Sequence, residues 1–389
     1  LARVILLTDF GEEYSNNLMK GIVQYSRETS PWVLCKMPLS YRDVHGIEGV
    51  LRWAKEWKAD AIIGQFYNTD NVSLFKEENV IAVAQDFKDR FTNIPNITGN
   101  HIRAGEIGAE HFIQKGFKNY AFLGIKNAIW SSERCEGFKK ALNKVGLLHS
   151  FYEYQKDVRE ELWYYEEDLE KWLIELPKPV AIMACDDNQA HHISEICKLH
   201  DIKIPSEVSL LGVDNDQMIC LLSDPPISSI NQNTIKGGYQ VANLIDKLTN
   251  NPQYRWANIV VEPTYITTRA SSNIFSTNNP HISIVLQYIH ENIKSKLSVQ
   301  SLVNLVPLSR RSLEQLFREV TGDSIYSYIL KLRIERFASE LIETDNPIVD
   351  IALELGYIDY KNISRQFKSL KGCTPSEYRE QNRIDVYAI

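Results

Sequence analysis

At 389 residues the chain is too long for one ordinary domain, and length alone points to two or three. Its 44% hydrophobic and 24% charged residues give the balance of a folded soluble protein, and no apolar run approaches the roughly 20 residues of a membrane-spanning helix. The net charge of −7, from 43 Lys/Arg against 50 Asp/Glu, speaks against nucleic acid for the chain taken whole, because phosphate binding needs a basic surface.

The chain opens on a strand-like run, Val4-Ile5-Leu6-Leu7, without a secretory pattern. Cys35, Cys135, Cys185, Cys197, Cys220 and Cys373 are scattered, with no CxxC and no zinc spacing. Both features point to a cytoplasmic protein with reduced thiols, no metal and no cofactor. Over the first 270 residues, short β-branched runs at 4–8, 33–37, 59–64, 80–84, 120–125, 180–184 and 208–213 alternate with helical-period stretches at 16–27, 47–57, 102–115, 133–145, 188–200 and 235–248. Such alternation predicts parallel sheets covered on both faces by helices, and seven or more strands fill two layers better than one. The expected fold is a two-lobed α/β domain with a cleft between the lobes.

Ligands in open α/β sheets bind beyond the carboxyl ends of the strands. Polar residues at those ends are Asp9, Gln65, Asp86, Asp186 and Asp214, with Arg134 in the first turn of the helix after 120–125. Carboxylates and an arginine fork suit the paired donors and acceptors of vicinal hydroxyls, and Phe10, Phe66 or Trp130 offer faces for a sugar ring. Any one of these carboxylates also serves as a helix cap or loop bond, so the set carries more than its members. His191 and Glu195 share a helical face without a third ligand, the Gly105–Gly108 stretch lacks the strand context of a dinucleotide loop, and GxxxxGK[ST] is absent.

Residues 271–280 are polar, turn-rich and end in Pro280, the texture of a linker. Everything beyond is helical in period. Residues 281–389 hold 14 Lys/Arg and 14 Asp/Glu, so the whole net charge of −7 falls on the first 280. Leu302, Leu305 and Val306 make one stripe, Pro307-Leu308 a turn, and Ser309 an N-cap for a helix that buries Leu313, Leu316, Phe317 and Val320 and ends at Gly322. Its outer face presents Arg310, Arg311, Ser312, Gln315 and Arg318. The pattern repeats: Ile348, Ile351, Ala352 and Leu355, a turn at Gly356-Tyr357, then Asp359 capping a helix with Ile363, Phe367 and Leu370 inside. Lys361, Asn362, Ser364, Arg365 and Lys368 face out. A long helix over 324–343 joins the two units, and Thr374-Pro375-Ser376-Glu377 forms a capping box. Short polar and cationic side chains on an exposed helix face are what base edges and phosphates require. A solvated amphipathic bundle accounts for either helix alone, but less readily for two matching faces whose caps stand 50 residues apart.

The segments RIERFASELI (333–342), IVDIALELGY (348–357), RQFK (365–368) and GCTPSEYR (372–379) resemble the AraC/XylS family of transcription regulators. Pro307 stands where that family usually has Gly, and Ile363 where an aromatic is common. The segments AIMACDD (181–187), SLLGVDND (209–216), PPISSIN (225–231) and GGYQVA (237–242), with Arg134 three residues before Gly137, resemble the sensor domain of LacI-type repressors and periplasmic binding proteins.

The resemblance implies a sugar-sensing α/β domain at 1–271, a linker at 272–280 and an AraC-type DNA-binding domain with two helix-turn-helix motifs at 281–389. It also implies a double-stranded DNA operator, a sugar effector with D-xylose favoured, a homodimer, contact with RNA polymerase, and Arg134 and Asp214 on sugar hydroxyls. Three alternatives stand beside it: a periplasmic sugar carrier, a sugar isomerase or glycosidase on α/β lobes, and a regulator with another effector such as a nucleobase.

Overall fold

The computed structural model describes residues 2–29, 31–85, 89–157, 167–275, 279–295, 297–357 and 360–382. The first lobe is built from β1 (Arg3–Thr8), α1 (Glu13–Glu28), β2 (Val33–Pro38), α2 (Leu39–Trp57), β3 (Ala61–Gly64), α3 (Ser73–Glu77), β4 (Ile81–Gln85) and β5 (Asn96–Gly99). The chain then crosses to a second lobe: α4 (His101–Gln114), β6 (Asn119–Ile125), α5 (Ile129–Lys144), β7 (Phe151–Lys156), α6 (Glu167–Glu175), β8 (Val180–Ala184), α7 (Asp187–Leu199), β9 (Val208–Val213), α8 (Gln217–Leu222) and β10 (Ser228–Gln232). It returns through α9 (Thr234–Asn250) and β11 (Ile259–Val261), and β12 (Pro263–Thr267) crosses back.

The two six-stranded sheets run β11-β5-β4-β3-β1-β2 and β12-β10-β9-β8-β6-β7. Every described strand pair is parallel except β10 with β12. Helices on both faces leave no wet side, which is why Val4, Ile5, Leu6 and Leu7 are all buried although consecutive. The three crossings are bonded to one another. Asn100 N–H donates to the Val261 carbonyl at 2.8 Å, Asn233 N–H to the Glu262 carbonyl at 3.0 Å, and Asn100 Nδ2 to Glu262 Oε2 at 2.8 Å. Three short crossings bonded to one another have the arrangement of a hinge between two lobes.

Beyond residue 279 the described chain is wholly helical: α10 (Pro280–Glu291), α11 (Val299–Val303), α12 (Arg310–Thr321), α13 (Ile325–Glu343), α14 (Ile348–Glu354), α15 (Tyr360–Lys371) and α16 (Pro375–Asn382). It has two cores that share α13. The N-terminal half of α13 gives Ile325, Tyr328 and Leu332 to a core with Leu302, Leu313 and Phe317; its C-terminal half gives Phe337 and Leu341 to one with Ile351, Ile363 and Phe367. Ser309 caps α12 by accepting from Ser312 N–H at 3.2 Å, and Gly322 closes it at φ 77°, where a side chain would be strained. Thr374 and Glu377 form the expected reciprocal cap. Asp359, the expected cap of α15, lies outside the described residues.

The structure departs from the sequence reading at the end of α15. Leu370 is 46% exposed, because α15 runs past the core that Ile363 and Phe367 fill. In the described part of the polar stretch after 270, three residues are packed. Ser271 and Ser272 are completely buried in the second lobe, with Ser271 Oγ donating to the Leu210 carbonyl at 2.7 Å, and Phe275 enters the first core of the helical domain.

Candidate ligand cleft and nucleic-acid interface

The cleft residues are positioned by two devices. The first is close packing of α4 on α5: a Cβ on Gly137 would stand 1.9 Å from the Ile102 carbonyl, and one on Gly105 equally near that of Arg134. Only glycine allows this approach, and it brings Arg134, at 3% exposure, beneath the cleft floor. There its Nε donates to His101 Nδ1 at 3.3 Å, Nη1 to the Cys185 carbonyl, and Nη2 reaches Asp214 Oδ1 at 3.4 Å. The Trp130 ring lies 5.1 Å from the guanidinium carbon.

The second device is the turn after β9. Asp214 (φ 94°) and Asn215 (φ 51°) both sit at positive φ, a conformation that persists only when neighbours over-determine it. Here Asp214 N–H donates to the Ile230 carbonyl, Asn215 N–H to Ser229 Oγ and Asp216 N–H to Asp187 Oδ2, at 2.7–2.9 Å. Asp187 also accepts from Ser229 Oγ at 2.6 Å, so it holds the turn while contributing to the cavity wall. The Asp214 carboxylate projects between Arg134 and Gln232, which donates to it through Nε2.

These elements enclose a cavity of about 480 Å³ between the lobes, within the range that takes a small polar ligand. Gln65, Trp130, Arg134, Asp186 and Asp214 line it together with Glu12, Glu13, Tyr14, His101, Lys126, Asn127 and Asp157. Gln65 is 3% exposed and its Oε1 has no hydrogen-bond partner among the described residues. Asp186 gives one oxygen to the N-cap of α7, accepting from Gln189 N–H at 2.7 Å, and burial raises its pKa.

Three expected residues fall elsewhere. Phe66 is 1% exposed in the first-lobe core, its ring 5.8 Å from Phe75 and 6.1 Å from Phe91, because its side chain turns under the sheet. Asp9 and Phe10 are outside the cavity wall: Asp9 Oδ1 accepts from Gly11 N–H at 2.8 Å, and Phe10 lies under the Lys36 ammonium at 4.3 Å. Asp86 lies outside the described residues. His191 is engaged by Ser223 at 2.7 Å and Glu195 at 3.6 Å.

Glu12 escaped the sequence reading, since paired acids before a helix read as dipole complements. Its side chain is wetted by the cleft, yet both lobes wall it in. Burial, then the charges of Asp9, Asp214 and Asp186, push its pKa up to about 7, against a hydrogen bond from Gln65. Across the cleft's flank, Arg90 of the first lobe forks onto Glu133 of the second at 2.5 and 2.6 Å and donates from Nε to Thr98 at 3.0 Å. This bidentate pair ties the lobes together beside Arg134.

On the helical domain, α12 exposes Arg310, Arg311, Ser312, Gln315 and Arg318, and α15 exposes Lys361, Asn362, Arg365 and Lys368. Arg310 is paired with Glu314 at 3.0 Å, Gln315 with Glu319 at 2.9 Å, and Arg365 leans on Asn362 at 3.5 Å. Ser364 differs from expectation. Its hydroxyl is buried without a partner among the described residues, because position 364 flanks the Phe367 stripe.

A hinged two-lobed binding domain with a polar cleft, followed by paired helix-turn-helix units, defines a ligand-responsive DNA-binding regulator. The periplasmic binding protein-like domain family matches residues 109–272, and the helix-turn-helix domain family, of the AraC type, matches 302–381. The xylose operon regulatory protein of Haemophilus influenzae is 27% identical over 387 residues, covering 97% of this chain and 98% of that one. That of Escherichia coli K12 is 25% identical over 389 residues, covering 98% and 97%. A solved xylose-binding transcription activator shares the fold over 98% of both chains, with 24% identity and a TM-score of 0.60. The chain is a DNA-binding transcription regulator with a sugar-type sensor domain.

Proposed function

We propose that this protein is a D-xylose-responsive regulator of pentose-utilisation genes, binding the sugar between its lobes and operator DNA through α12 and α15. The observation that carries this reading is the buried Arg134 in the cleft wall, whose Nη2 reaches Asp214 Oδ1 at 3.4 Å. It pairs a fixed donor with a fixed acceptor, the arrangement that vicinal hydroxyls complete. The full-length likeness to two xylose operon regulatory proteins supports the choice of sugar. Gln65, Trp130, Asp186 and Glu12 supply the remaining contacts, and the excess of carboxylates in the wall selects a neutral sugar over a phosphorylated one.

The regulator acts as a cytoplasmic homodimer that contacts RNA polymerase and catalyses no reaction. Sugar favours the closed lobes and so biases DNA binding. Calorimetry of the purified chain against D-xylose, other pentoses, hexoses, nucleobases and xylose 5-phosphate tests it. D-xylose gives heat and the phosphate gives none; silence with every aldose removes the sensing claim.

A further inference from the structure

The helical domain touches both lobes, and on each lobe one contact is made by a helix that starts at the crossings, with β12 also packed on α13. On the second lobe the anchor is the end of α4. The Lys115 ammonium lies 4.6 Å from the ring centre of Phe275, beside His111, whose Nε2 lies 3.0 Å from Ser272 Oγ within the second lobe. Phe275 in turn packs at 4.8 Å on His290 of α10 and 6.4 Å on Tyr328 of α13, which hydrogen-bond each other at 2.9 Å. Lys115 is 5% exposed, and its nitrogen has no hydrogen-bond partner among the described residues. A solvated amine would be cheaper for the fold, so this contact is held in place by the docking of one domain on the other. Burial lowers its pKa to about 7.

On the first lobe the anchor is the start of α9. Asn233 Nδ2 donates to the Asn382 carbonyl at 2.9 Å and Lys236 Nζ donates to the Gln381 carbonyl, both at the end of α16. The Asn233 side chain makes no cap bond to its own helix. Each anchor also lies one element from the cleft. His101 lines the cavity at the other end of α4, about 20 Å away along the helix. Gln232, the residue before Asn233, holds Asp214.

Resting on the effector reading above, we propose that Asn233 and Lys236 form a conditional latch: the DNA-binding domain is docked across both lobes at one lobe angle and held by the second lobe alone at the other. Rotation about the crossings carries α9 with the first lobe and α4 with the second, so no single placement of the helical domain satisfies both anchors at every angle. The first anchor belongs to the unit carrying α12 and the second to the unit carrying α15. Lobe angle therefore reaches both recognition helices, which must meet successive grooves together.

The test compares the full chain with N233A/K236A and with the single variant K236R, which keeps a donor. Operator affinity is measured with and without saturating D-xylose, on a DNA fragment selected from a random library by the unaltered protein. Hydrogen exchange over 375–382 is measured without sugar. In the double variant we expect faster exchange across α16, D-xylose affinity within about threefold of normal, and a sugar effect on operator affinity reduced to within twofold of none; K236R keeps the unaltered behaviour. Unchanged exchange at α16, or a full sugar effect in the double variant, overturns the latch. If D-xylose leaves the unaltered chain's DNA affinity unmoved, the effector reading fails instead, and exchange alone decides the docking.

Discussion

Arg134 shows how much one side chain contributes when its surroundings are fixed. Its guanidinium is spent on His101, the Cys185 carbonyl and Asp214, so its remaining fork edge has one orientation available for a ligand. Arg134→Ala leaves Asp214 without its cation and should weaken sugar binding by about 1.5–3 kcal/mol, roughly ten- to hundredfold by calorimetry. Glu12 makes a different prediction. Its pKa is about 7 in the folded chain against 4.5 for an ordinary glutamate, so between these values the folded state binds more protons than the unfolded one. Its effect on stability therefore falls as pH rises from 4.5 to 7 and is constant above. The melting temperature of Glu12→Gln should gain on that of the unaltered chain from pH 5 to pH 8; a gap that stays constant over that range contradicts the assignment.

At the level of elements, the α4–α5 contact is the one that places the cleft floor. Gly137→Ala puts a methyl against the Ile102 carbonyl, and we expect a loss of about 1–3 kcal/mol in denaturant unfolding, with weaker sugar binding as α5 shifts. On the DNA side, Arg365→Ala should cost about 1–3 kcal/mol of operator affinity in a gel-shift titration and leave sugar binding unchanged. The strands at 4–8, 61–64, 180–184 and 208–213 were legible because sheets buried on both faces make continuous apolar runs. β5 and β7 were not: Asn96–Gly99 is four residues long, and Phe151–Lys156, with Glu153, Gln155 and Lys156, is a polar edge strand. The cleft was legible where cavity-lining residues stand at strand ends, as Gln65, Asp186 and Asp214 do. Phe66 has the same sequence position but opposite side-chain direction, which no composition reveals. Glu12 lies four residues past β1, and only the facing lobe makes it part of the wall.

Across the whole molecule, charge and function are separated along the chain. The net acidity of −7 belongs to the first 280 residues, whose cleft wall carries several carboxylates, while the helical domain is balanced and gathers its cations on α12 and α15. The overall charge that spoke against nucleic acid was a property of the sensor. Under the proposed function, sugar held by Asp214 and Arg134 changes how these two helices meet DNA. This is tested by fluorescence anisotropy of the selected DNA fragment with the full chain, titrated with and without D-xylose, in parallel with Asp214→Ala. A several-fold change in operator affinity is expected for the unaltered chain and none for the variant, with equal affinities in the absence of sugar. Operator affinity that ignores saturating D-xylose in the unaltered chain, or responds equally in Asp214→Ala, contradicts it.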